Sequence, residues 1–89
     1  MPSAPQDHAV LVEAVAAELS RRVLKRQEDR AGNFTDANLW VDPEVWADVV
    51  QQVHAASMML HRAARTPRTE GTIPVSMVAY LFAMTEDER

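Results

Sequence analysis

The chain has 89 residues, enough for one domain with one core and too few for two, and its lack of cysteine removes any disulfide, thiolate metal site or cysteine nucleophile. Nine Lys and Arg stand against thirteen Asp and Glu, for a net charge of −4, which disfavours a direct grip on nucleic acid because that affinity comes from neutralising phosphates. A hydrophobic content of 47% argues against wholesale disorder. A chain this short buries only about 60–65% of its unfolded surface, so oligomerisation is the staple left to it.

In chain order, residues 1–6 read as a flexible tail, 7–84 as a single dimerising α+β domain and 85–89 as a charged tail. The start, Met1-Pro2-Ser3-Ala4-Pro5, has no signal-peptide pattern, and no apolar run approaches the roughly 20 residues of a membrane span. The expectation is a cytoplasmic protein with no membrane partner. Asp7 can cap a helix, and Val12, Val15, Ala16, Leu19 and Val23 recur at three- and four-residue spacing, which predicts a helix reaching Asp29–Gly32. Val10, Ala17 and Leu24 form a second, thinner stripe at seven-residue spacing. A helix apolar on two sides packs against two bodies, and the second body is expected to be a partner subunit. The cations Arg21, Arg22, Lys25, Arg26 and Arg30 crowd the end of this helix, where they complement its dipole.

Asn38-Leu39-Trp40-Val41 reads as a short strand. Asp42-Pro43-Glu44 is the clearest local signal. Asp can cap, Pro fits a first turn that needs no N–H, and Glu complements the positive helix end. The second helix should run from Pro43 to Arg65 with a stripe of Trp46, Val49, Val50, Val53, Ser57, Leu60 and Ala64, stopped by Thr66-Pro67. Residues 68–72 read as a turn. Ile73–Met84 reads as one long strand with Pro74 at its start, Val75, Met77 and Leu81 on one face and Val78, Tyr80 and Phe82 on the other. Two strands alone are marginal, so the expected completion is a homodimer sharing an antiparallel sheet.

No catalytic constellation is visible. His54 and His61 lie on one side of the second helix, separated by a rise of about 10.5 Å, too far for one metal ion within one chain. Ser57 lies beside them but lacks the strained turn of a hydrolase nucleophile. Two glycines leave no phosphate-cradling loop. No metal and no cofactor is expected. Trp40, Trp46, His54, Met58, His61 and Tyr80 are candidates for a pocket that takes a small apolar ligand. Val10, Ala17, Leu24, Met59, Val78 and Phe82 are candidates for the dimer interface. The alternative to an interaction module is a small cofactor-independent enzyme or ligand-binding protein using that Trp, His and Met pocket.

Three runs carry a resemblance: Thr35-Asp36-Ala37-Asn38-Leu39-Trp40-Val41-Asp42-Pro43-Glu44-Val45-Trp46; Leu60-His61-Arg62-Ala63-Ala64-Arg65-Thr66-Pro67-Arg68 continued by Gly71-Thr72-Ile73-Pro74-Val75-Ser76; and Leu81-Phe82-Ala83-Met84. Together they resemble the C-terminal region of actinobacterial ArsR-type winged helix-turn-helix regulators, over roughly residues 9–84. The resemblance implies dimerisation through arm helices, one of them similar to residues 9–30, and effector sensing. That family's DNA-binding domain would precede residue 9, so DNA binding does not carry over to these residues, and neither does sensing of metal through cysteine. The expected partners are a second copy, a full-length ArsR-type regulator and a small apolar ligand.

Overall fold

A computed structural model describes residues 5–86. Their regular structure is two helices, α1 over Pro5–Arg22 and α2 over Pro43–Ala63, with a single 3₁₀ turn at Val23–Lys25 continuing α1. The chain divides into two compact units, one ending at Thr35 and one beginning at Asp36. Of the two tails expected at the ends, residues 1–4 and 87–89 lie outside the described residues, and Pro5 and Gln6 already belong to α1.

In the first unit α1 ends short of the Asp29–Gly32 stop predicted from the sequence. The α-helical hydrogen bonding gives way at Val23 to a 3₁₀ turn closed by the Arg26 N–H, which donates to the Val23 carbonyl at 3.1 Å. Two causes act together. The apolar stripe runs out at Val23 and Leu24, so further turns would have nothing to bury. Arg21, Arg22, Lys25 and Arg26 also fall at three- and four-residue spacings, where like charges destabilise a helix. Glu18 offsets part of that repulsion by pairing with both Arg21 and Arg22, the latter at 3.2 Å.

In the second unit α2 begins where Asp42-Pro43 places it. Asp42 has the extended backbone of an N-cap (φ −66°, ψ 143°) and Pro43 opens the first turn. The cap works through its backbone: the Trp46 N–H donates to the Asp42 carbonyl at 3.0 Å, and the Asp42 carboxylate accepts no capping hydrogen bond. The helix stops at Ala63, two residues before the predicted end, where Ala64 turns to extended backbone ahead of Thr66-Pro67.

Two linked turns follow. In Thr66-Pro67-Arg68-Thr69 the third residue has φ +68°, and in Thr69-Glu70-Gly71-Thr72 the third residue has φ +83°. Positive φ at that position, with Pro before it in the first case, is the type II pattern. Each turn is closed twice by the threonine at its end. The Thr69 N–H and hydroxyl donate to the Thr66 carbonyl at 3.1 and 2.6 Å; the Thr72 N–H donates to the Thr69 carbonyl at 3.1 Å, and the Thr72 hydroxyl donates to the same oxygen. Gly71 takes its conformation freely, whereas Arg68 holds it against the Cβ clash that makes it costly for other residues.

The α+β architecture does not hold. The described residues contain no strand: Asn38–Val41 and Ile73–Met84 both lack ladder hydrogen bonding, so the regular structure is all-α and the shared antiparallel sheet is withdrawn with it. The composition of both segments favours β-structure, but a strand exists only as half of a ladder, and a two-stranded pairing is marginal even when both halves are present. The period-two pattern survives without the ladder. Tyr80 and Phe82 stack edge to face with ring centroids 4.9 Å apart, while Met77, Ala79 and Leu81 lie together along α2. Alternate residues falling on opposite sides is the property of an extended backbone.

No described residue is buried. The chain exposes 8896 Å², against about 5,200 Å² for a folded monomer of its mass and about 14,500 Å² for the unfolded chain. Among the described residues no helix is long and apolar enough to cross a membrane.

The turn geometry makes a direct prediction. Gly71→Ala forces a Cβ into the left-handed region and should cost about 1 kcal/mol in urea unfolding, whereas Arg68→Gly relieves the same strain and should leave stability equal or slightly higher. Equal losses for both variants would mean that the turns do not persist in solution.

Candidate functional site

The second unit carries a groove of about 400 Å³ between α2 and the segment after the turns. One wall is the face of α2 bearing Val50, Val53, His54, Ser57, Leu60 and His61; the other is Met77, Ala79 and Leu81. The spacing of three and four residues along α2 lines up its wall, and alternation along the extended segment lines up the other. The linked turns at Thr66–Thr72 reverse the chain between them. The groove is apolar along its length apart from the two imidazoles and Ser57.

The geometry at His61 fixes a tautomer. Its Nδ1 lies 2.8 Å from the Ser57 carbonyl oxygen. A carbonyl only accepts, so Nδ1 carries the proton, and in the neutral ring Nε2 is left as a hydrogen-bond acceptor. The Ser57 hydroxyl is also 3.5 Å from Nδ1. With that nitrogen's proton committed to the carbonyl, it cannot take one from Ser57, so this pair does not form the base-activated nucleophile of a hydrolase. Among the described residues no three of His, Asp or Glu converge as a metal-binding group.

The six candidate pocket residues fall in different places. His54 and His61 line the groove. Trp40 is 87% exposed and borders a separate, shallower concavity with Val41, Asp42 and Val45. Trp46 and Met58 are half-buried on α2 outside the groove, and Tyr80 lies on the opposite side of its segment, stacked on Phe82. The structure therefore does not gather the Trp, Met and Tyr side chains around the histidines. Of the six interface candidates, all are exposed, led by Leu24 at 84% and Met59 at 69%. Ala79, which no sequence feature singles out, lines the groove because it shares the parity of Met77 and Leu81.

No family model matches the chain, and no curated protein or solved structure matches it either.

Nitrogen NMR of the imidazoles checks the site. His61 should show the Nδ1–H tautomer at alkaline pH, as the bond to the Ser57 carbonyl requires. A dominant Nε2–H form at His61 would show that this bond is not kept in solution.

Proposed function

We propose that this chain is a self-associating module of the kind found in the arm regions of ArsR-type regulators, with its core completed by a second copy of itself. The observation that carries the reading is the absence of any buried described residue from a chain with two long amphipathic helices. The surface exposed beyond that of a folded monomer is about 3,700 Å², and an obligate dimer removes about 1,000–2,500 Å² from each chain. An interface of that class removes a substantial part of that surface, while a small ligand covers far less. The residue runs at 35–46, 60–76 and 81–84 support the regulator context.

A second reading attaches to the groove. His61 lines the groove with Nε2 as an acceptor in the neutral ring, which suits a small apolar molecule that brings one O–H or N–H donor. The two readings are compatible, since the interface candidates on α1 belong to the other unit.

Sedimentation of the full chain tests the first reading. Dimer mass should dominate at high concentration, and the melting temperature should rise across about two decades of chain concentration, because association stabilises only the folded form. A monomer with a concentration-independent melting temperature overturns it. His61→Ala should leave the dimer intact, since the ring is exposed and its hydrogen bond is internal to α2. Loss of the dimer on that change would place His61 in the interface.

A further inference from the structure

We propose that the groove of the second unit takes an elongated, flat aromatic molecule with a hydroxyl at each end, a para,para′-biphenol in class, laid along α2 between His54 and His61. The inference rests on the groove reading above and adds a second hydrogen-bonding group, its distance from the first and the way the ligand lies.

The polar side chains of the groove all stand on one wall. His54, Ser57 and His61 follow one another at three- and four-residue spacing, so they form a single row along α2 with rises of about 4.5 and 6 Å. Val50, Val53 and Leu60 flank that row, and the side chains of the facing wall, Met77, Ala79 and Leu81, carry no nitrogen or oxygen. A ligand that satisfies both walls is therefore two-sided, with its hydrogen-bonding groups along one edge and the rest of its surface apolar.

Both ends of the row have capacity to spare. The Nδ1 proton of His61 is held by the Ser57 carbonyl, which leaves Nε2 of the neutral ring an acceptor. His54 makes no hydrogen bond or ion pair to another described residue, so its neutral ring keeps one donor and one acceptor. Seven residues bring the second ring to the same side of the helix as the first, with a rise of about 10.5 Å between them. A para,para′-biphenol spans that rise between its two oxygens, and a single phenol ring is too short. Rigidity favours the two-ring ligand over an aliphatic diol of equal span, which would have to freeze its rotors to reach both imidazoles. The Met77 sulfur on the facing wall favours an aromatic surface. The groove volume of about 400 Å³ accommodates two rings, near the lower end of the roughly 300–1,000 Å³ of small-molecule sites.

Titration of the full chain with para,para′-biphenol, para-phenylphenol and biphenyl tests the spacing. The readout is the amide signals of Met77, Ala79 and Leu81 and the imidazole signals of His54 and His61. Burial of apolar surface alone would favour biphenyl, the least hydrated of the three, so a gain with each hydroxyl reports hydrogen bonding. The biphenol should bind about fivefold tighter than para-phenylphenol, and biphenyl should bind weakest. His54→Phe keeps a flat ring without the acceptor and should make the two phenols bind alike. His54→Gln keeps an acceptor and should restore part of the difference. Equal binding of the two phenols to the unaltered chain, with shifts at the groove, would overturn the two-ended arrangement and leave the single-donor reading standing. Tightest binding by biphenyl would show both hydroxyls unused and overturn the inference together with the acceptor role of His61. No shift at the groove with any of the three would overturn this inference and the groove reading beneath it, without touching self-association.

Discussion

Among the described residues no apolar side chain of either helix is buried, and much of the structure follows from that shortage. A helix of 18 or 21 residues is sustained chiefly by packing, because propensity alone leaves helices of this length marginal in water. Val12 and Leu19 on α1, Val23 in the turn that continues it, and Val45, Val49 and Leu60 on α2 all remain exposed. A monomer organised this way would gain little from desolvation to set against the entropy of ordering its backbone. On the proposed reading, association with a second copy would let the same residues become a core.

The second unit shows how far one chain can go alone. The linked turns at Thr66–Thr72 bring the Val- and Phe-rich segment back along α2, and alternation lays Met77, Ala79 and Leu81 against Val50, Val53 and Leu60. The opposite side carries Val78, Tyr80 and Phe82, each partly exposed, with Tyr80 stacked on Phe82. Arg68 in the left-handed region is the cost of that reversal: a conformation usually left to glycine is held there by two hydrogen bonds from Thr69. Thr72 repeats the closure around Gly71, so the two turns act as one clamp.

What was legible in the sequence was what local chemistry decides. Asp42-Pro43 marked the start of α2, and Thr66-Pro67 marked its end to within two residues, because both signals act within a single turn. Period-two alternation placed Met77 and Leu81 on one face and Tyr80 and Phe82 on the other without reference to any neighbour. The strands were not decidable in this way. Val, Tyr and Phe give a segment the shape of a strand, but the ladder depends on a second segment, and nothing in Asn38–Val41 draws it to Ile73–Met84. The length of α1 was misjudged for a related reason: the cations after Leu24 have no apolar surface to lean on and repel one another along the helix. The histidines could be placed on one face of α2 by counting. That Trp40 and Tyr80 would lie elsewhere depended on tertiary contacts that composition does not encode.

The groove and the uncovered stripe of α1 answer to different physics. At the groove, apolar walls surround a few polar groups, His54, Ser57 and His61, and the bond from His61 Nδ1 to the Ser57 carbonyl leaves Nε2 of the neutral ring an acceptor. On α1 the charge is separated along the axis, with Asp7, Glu13 and Glu18 ahead of Arg21 and Arg22, and its aliphatic side chains lie exposed. Because the groove is built only from residues of the second unit, a ligand there influences association only to the extent that it binds the paired and unpaired forms with different affinity.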